Sequence, residues 1–166
     1  QAQHDALVDL LQQHSVELAY LPEDAATGLD SIYTHDPVVT VAGGVILGRM
    51  GKALRLDEPD TAGKALANLG VPILGRITGE GRLEGGDVCW LDERTVAVGQ
   101  GYRTNAEGIR QLRALLGERV DDVIPVALPH WTGPDDCLHL LSFISPVDAH
   151  KAVVYSRLMP VPFRQL

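Results

Sequence analysis

The sequence predicts an α/β fold assembled from a repeated unit of strand, hairpin, strand, helix and strand. Three observations predict it. The order of apolar runs and turn signals recurs with a period of about 50 residues, as in an array or propeller of similar units. Two predicted helices within the repeat each stop at a glycine, Gly70 and Gly117, the residue best suited to end a helix. Polar residues recur in register: Asp36, Asp87 and His139 stand at the start of the first strand in successive units, 51 and 52 residues apart.

Gln3–His14 places Ala6, Leu7, Leu10 and Leu11 on one helical face. Val16–Leu21 reads as a short strand stopped by Pro22, and Glu23–Asp30 as a polar loop. Pro37–Val41 is a strand, Ala42-Gly43-Gly44 a hairpin turn and Val45–Gly48 the return strand. A helix follows from about Asp60 to Leu69 with Gly70 at C′, then a strand at Val71–Leu74. The order repeats with a strand at Asp87–Leu91, a turn at Asp92–Arg94 and a return strand at Thr95–Gly99. Asn105–Leu116 is a helix with a buried stripe of Ile109, Leu112, Leu115 and Leu116. Thr104 and Glu107 have the spacing of a capping box. Val123–Val126 is the last strand of that unit. A further copy opens at His139–Ile144, turns at Pro146–Ala149 and returns at Ala152–Ser156, with no helix after it.

The chain has 166 residues, 45% of them hydrophobic and 22% charged, enough to bury a core. No apolar run approaches the ~20 residues that span a bilayer. A net charge of −8 argues against a general nucleic-acid or membrane-surface binder and suits a cationic small molecule. Two cysteines, Cys89 and Cys137, cannot build a disulfide framework, and a reducing cytoplasm is the expected compartment. The chain opens on a helix without an initiator Met and ends without a closing element, so both ends read as cuts through a larger fold. Strand edges exposed there invite pairing with another chain, which makes a dimer an expectation.

If the units surround an axis, the strand starts converge, bringing Asp36, Asp87, the neighbouring Glu84 and His139 together. Paired carboxylates suit a planar, delocalised cation such as a guanidinium, and an imidazole beside them can carry protons. The plainer alternative makes the aspartates turn caps and His139 a core histidine. Arg49, Arg55 and Arg103 follow the return strands, where an arginine can hold a carboxylate bidentately. Cys137 and His139 alone are too few for a metal centre, and no phosphate loop or nucleophile elbow occurs. Cys89 reads as a small buried hydrophobe, Gly43-Gly44 and Gly85-Gly86 as turns, and His35, His130 and Trp131 as possible pocket residues.

Tyr33-Thr34-His35-Asp36-Pro37, Glu84-Gly85-Gly86-Asp87, Arg103-Thr104-Asn105-Ala106-Glu107-Gly108 and His139-Leu140-Leu141-Ser142-Phe143 together resemble the guanidino-group-modifying superfamily. This superfamily contains arginine deiminases, dimethylarginine dimethylaminohydrolases and amidinotransferases. The resemblance implies the pentein fold, five ββαβ units around a pseudo-fivefold axis, present here in about three units. Residues 1–32 would end a first unit, 33–75 form a second, 84–126 a third and 139–166 begin a fourth. It also implies roles. Asp36 would bind the substrate guanidinium, with Asp87 also lining the substrate site. Glu84 would orient the guanidinium and assist proton transfer, and His139 would protonate the leaving amine and then activate water. Arg55 and Arg103 would hold the α-carboxylate. The partner would be a guanidino amino acid, and no cofactor or metal is expected.

The family nucleophile is a cysteine near the C-terminus, a place that neither Cys89 nor Cys137 occupies, so this chain is expected to lack it and to be inactive alone. The Arg103–Gly108 and His139–Phe143 motifs lean towards dimethylarginine dimethylaminohydrolases. Arginine deiminases usually carry an aspartate at the position of Leu141. Glu84–Asp87 and Asp36-Pro37 look more like the deiminases, and amidinotransferases remain an alternative. An alternative of another class is a non-catalytic binder of cationic amino acids, and a third is a structural domain.

Overall fold

A computed structural model describes residues 1–134 and 138–166. Cys137, and its reading beside His139, lies outside the described residues. The chain begins with α1 (Ala2–Gln13), which buries no residue: Leu7 and Leu10 of its apolar face are about half exposed. The strand expected at Val16–Leu21 does not form. Those residues carry no regular structure and face largely outward, and an extended segment becomes a strand only when a neighbour takes its backbone hydrogen bonds.

Beyond that segment the β-branched runs pair as the repeat requires. β1 (Val38–Val41) and β2 (Gly44–Leu47) form an antiparallel hairpin, with Val39 opposite Ile46. Gly43 takes φ +88° at the turn, a left-handed conformation that costs glycine little. α2 (Glu58–Asn68) then crosses over, and β3 (Ile73–Arg76) joins β2 in parallel. The second sheet copies this order: β4 (Val88–Trp90) antiparallel to β5 (Thr95–Gln100), α3 (Ala106–Leu116), and β6 (Asp122–Ala127) parallel to β5. β7 (Ile144–Asp148) and β8 (Lys151–Val154) make an antiparallel pair.

Two apolar clusters hold these sheets together. The first joins Val39, Val41 and Ile46 of the first sheet to Val88, Val96, Val98 and Val123 of the second, roofed by Ile109, Leu112 and Leu116 of α3. At this seam the Trp90 indole N–H donates to the Thr40 carbonyl at 3.2 Å. The second cluster joins Cys89, Ala97 and Val126 to Leu140, Phe143 and Ile144, fixing the segment that carries His139 against the middle sheet.

Several local expectations are corrected. Thr104 is not the cap of α3. Asn105 is: its side-chain oxygen accepts from Gly108 N–H at 2.8 Å and from Arg82 N–H at 3.0 Å. A side chain on Gly108 would collide with the Arg82 backbone, so the first turn of α3 lies directly on that loop. The strand expected from His139 starts only at Ile144, because Leu140–Ser142 curls into a 3₁₀ turn. Pro146 lies within β7, and the turn falls at Ala149-His150. A four-residue helical turn, α4 (Val161–Arg164), follows β8.

Candidate active site

Asp36 sits just before β1, at the end of a turn in which its N–H reaches the Tyr33 carbonyl. Its own carbonyl accepts from Gly85 N–H at 2.7 Å, stitching the first motif to the second. Gly85–Asp87 is a 3₁₀ turn leading into β4, with Glu84 immediately ahead of it. His139 stands ahead of the 3₁₀ turn at Leu140–Ser142, its N–H donating to Ser142 Oγ at 3.2 Å.

The result is a compact cluster of charges. His139 Nε2 lies 2.9 Å from Glu84 Oε2, and its Nδ1 lies 3.8 Å from Asp36 Oδ1. A carboxylate only accepts, so Nε2 carries a hydrogen and Nδ1 is the atom left to exchange a proton. Arg103 grips Glu84 with Nε on Oε1 and Nη2 on Oε2, both at 2.8 Å, while Gly51 N–H adds a 2.7 Å bond to Oε1. Arg55 donates through Nη1 to Asp36 Oδ2 at 2.8 Å and through Nε and Nη2 to both oxygens of Glu58 at 2.9 and 2.7 Å. The Tyr33 ring lies 5.9 Å from that guanidinium, within cation–π range.

Burial makes these pairings matter. Glu84 and Asp87 are fully buried, and Arg55, Glu58, Arg103 and Asp36 nearly so. Burial works to raise the Glu84 pKa, but the hydrogen bonds from His139 and Arg103, the Arg103 charge and Gly51 N–H outweigh it and hold the carboxyl at about 2. Burial also works against the His139 imidazolium, yet the Glu84 bond and the charges of Asp87, Asp36 and Glu84 prevail and raise its pKa. Arg55 remains protonated for the same reason, its burial outweighed by Glu58 and Asp36. Counting Asp36, Glu58, Glu84 and Asp87 as ionised, two arginines leave a formal −2 with neutral His139. That is room for a monovalent organic cation. Asp36, Glu84 and His139 are also close enough to share a metal ion, but both carboxylates already serve a guanidinium, so the arrangement is not read as a metal centre.

Of the six residues singled out in the sequence, Asp36, Glu84 and His139 meet directly, and Arg55 and Arg103 join as partners of those carboxylates. Asp87 departs from the expectation that it lines a substrate site. It is fully buried, and its Oδ1 accepts from Leu140 N–H at 3.0 Å. Glu58 escaped the sequence reading, although its i, i+3 spacing from Arg55 was the signal. Gly85 and Gly86 are more than turn residues, since neither has a positive φ. A Cβ on Gly86 would lie 2.5 Å from His139 Nδ1 and 2.8 Å from Asp36 Oδ1, so the absent side chain is the space the imidazole occupies. Arg49 donates through Nη1 to the Gly81 carbonyl at 3.4 Å, away from the cluster's carboxylates. His130 bonds Tyr102 at 2.7 Å beside a cavity of about 270 Å³, whereas His35 and Trp131 are exposed. Cys89 is buried among apolar neighbours, and burial pushes its thiol up. Leu141 packs against the second apolar cluster. Among the described residues, no helix is long and apolar enough to cross a membrane.

Residues 29–162 match the arginine deiminase family. The chain is 34% identical over 164 residues to an N(G),N(G)-dimethylarginine dimethylaminohydrolase of Streptomyces coelicolor, covering 96% of this chain and 58% of that protein. It is 30% identical over 109 residues to an arginine deiminase of Limosilactobacillus reuteri, covering 61% of this chain and 27% of that one. A Pseudomonas aeruginosa dimethylarginine dimethylaminohydrolase solved with citrulline superposes with a TM-score of 0.81 at 26% identity, over 99% of this chain and 62% of that one. The chain therefore spans less than two thirds of the length of each of these relatives.

Proposed function

This chain belongs to the arginine deiminase family, and from that premise we propose that it is part of a cysteine-dependent hydrolase acting on the guanidino carbon of a methylated arginine or of arginine. The product is citrulline, with release of an amine. The observation that carries this reading is the buried Asp36–Glu84–His139 cluster, with its formal negative charge and an imidazole whose Nδ1 is left to move a proton. Asp36 Oδ1 is the oxygen not taken by Arg55, and it receives the substrate guanidinium. Glu84, saturated by Arg103, Gly51 and His139, orients the imidazole. The resemblance gives Arg55 and Arg103 the substrate α-carboxylate, whereas in the structure both guanidiniums are engaged by Asp36, Glu58 and Glu84.

A thiolate adds to the guanidino carbon, and the bond to the leaving nitrogen breaks as His139 gives that nitrogen a proton. Water then adds to the thiouronium carbon, His139 takes one of its protons, and the thiolate departs as the oxygen's other proton passes to solvent, leaving the ureido group. Cys89, buried with its pKa raised, is a poor candidate for that thiolate. Neither Cys89 nor Cys137 stands where the resemblance puts the nucleophile, near the C-terminus of the family's fold, so in this reading the thiolate belongs to polypeptide outside residues 1–166. Residues 33–75 and 84–126 are read as two whole units of a five-unit pentein propeller, with 1–32 and 139–166 as parts of two more. A cytoplasmic protein that pairs with a second copy fits the same reading.

The test is citrulline formation by the longer protein from dimethylarginine and from arginine. Production from dimethylarginine, abolished by Asp36→Asn, supports the reading. Production from arginine alone makes it a deiminase, like the Limosilactobacillus reuteri relative. Binding of both without turnover overturns the hydrolase in favour of a cationic amino-acid binder. Turnover by the 166-residue chain alone refutes a nucleophile outside it.

A further inference from the structure

Asp87, expected at the substrate, has other work in the structure. Its carboxyl is fully buried beneath the turn that bears His139. Oδ1 holds Leu140 N–H, the amide next to His139, at 3.0 Å. It also lies so close to β5 that a Cβ on Gly99 would come within 2.7 Å of it. Leu140 is itself fully buried in the second apolar cluster, so this bond and that packing together join the His139 turn to the middle sheet. Oδ2 is buried and, among the described residues, accepts no hydrogen bond. A carboxylate half satisfied in this way is costly to keep ionised unless a cation compensates it.

The charged groups around His139 are Glu84 and Asp36 in direct reach, Asp87 behind it, and Arg103 and Arg55 on the far sides of those carboxylates. The Gly86 face contributes no charge. Both arginines are bonded to Glu84, Asp36 and Glu58, which leaves the imidazolium as the compensating charge for Asp87. Resting on the reading of His139 as the proton carrier, we infer that Asp87 is a positioning residue that fixes the His139 turn through the Leu140 amide and couples its own ionisation to that of the imidazole. Burial pushes the Asp87 carboxyl up to about 6, against the pull of the His139 charge, the Thr104 hydroxyl and the Leu140 amide. The His139 pKa is raised in part by the Asp87 charge. The two groups therefore titrate as a pair, loss of a proton from one favouring its retention by the other.

The experiment is the NMR titration of His139 in the longer protein, wild type against Asp87→Asn and Asp87→Ala, with Asp36→Asn as a control for sensitivity. Asparagine keeps an acceptor for Leu140 N–H and removes only the charge. The titration midpoint of His139 shifts down in Asp87→Asn, and the limb of the pH–rate profile that reports His139 moves with it while KM holds. Asp87→Ala adds a loss of kcat as the turn loosens. A His139 midpoint unchanged in Asp87→Asn, with or without loss of stability, overturns the coupling and leaves a merely structural carboxyl. A shifted midpoint in a protein that turns over no guanidino substrate upholds the coupling and refutes the hydrolase reading instead.

Discussion

Replacing Gly86 with alanine tests the site at its tightest point. The added methyl would lie 2.5 Å from His139 Nδ1, 2.7 Å from its Cγ and 2.8 Å from Asp36 Oδ1. An ordinary heavy-atom contact needs about 3.5 Å, so the ring must retreat by about 1 Å. The His139–Glu84 bond is 2.9 Å long, and a retreat of that size carries it out of hydrogen-bonding range. Overpacking of this kind costs about 1–3 kcal/mol of stability, and a 1 Å misplacement of a catalytic group costs about 10²-fold in rate. The clearest readout is the histidine itself. Burial already works against its charge, and the Glu84 bond is the largest of the contributions that raise its pKa. Gly86→Ala therefore lowers the His139 midpoint, measured by NMR titration. A variant with an unchanged midpoint and an unchanged urea midpoint refutes the claim that the glycine exists to admit the imidazole.

Three further outcomes are expected. Leu112→Ala, which empties a fully buried position under α3, costs about 2–5 kcal/mol by chemical denaturation, and a loss below ~1 kcal/mol would contradict the packing described. Glu58→Gln leaves the buried Arg55 without its bidentate partner and destabilises by about 3–5 kcal/mol, whereas an exposed pair such as Arg110–Glu107 changes stability little when broken. Stability also follows pH in a defined direction. Glu84, held at about 2 against an ordinary 4.5, contributes about 3 kcal/mol above pH 4.5 that disappears as pH falls towards 2. Asp87 has the opposite sign: raised from 3.8 to about 6, it costs about 3 kcal/mol above pH 6, a cost relieved as pH falls towards 3.8. His139, with a raised pKa, contributes below 6.5 and ceases to as pH rises through its folded value. Urea midpoints therefore rise on acidification from neutral pH to about pH 4.5 and fall below it. A steady fall from neutral pH downward would contradict these assignments.

Local chemistry and repetition made much of this legible in advance. Alternating β-branched runs around Gly43 and around Asp92–Arg94 marked the two hairpins, because strand pairing and turn geometry are short-range. The step of about 50 residues set Asp36, Asp87 and His139 ahead of the first strands of successive sheets, although a 3₁₀ turn separates His139 from its strand. It could not tell which way each carboxyl points. Glu84, three residues earlier, reaches the imidazole, while Asp87 turns inward to Leu140. That choice is made by a 3₁₀ turn at Gly85–Asp87, where local periodicity is silent. Thr104 misled for a related reason. Its spacing from Glu107 fits a cap, but its hydroxyl is used across the fold, accepting from Glu84 N–H at 3.1 Å, and the neighbouring Asn105 caps instead. Val16–Leu21 had the composition of a strand without a partner to pair with.

The bond from Trp90 to Thr40 crosses the seam between the first two sheets, at the strand ends opposite the charged cluster. Of the two tryptophans in the sequence, Trp131 is 51% exposed and Trp90 packs against the principal apolar cluster. The two indoles thus sit in environments of different polarity. A shift of one sheet against the other breaks the bond that holds the Trp90 indole and changes that indole's surroundings. The protein carries its own optical gauge of how its first two sheets are seated, readable without a label and remote from the groups that would do the chemistry.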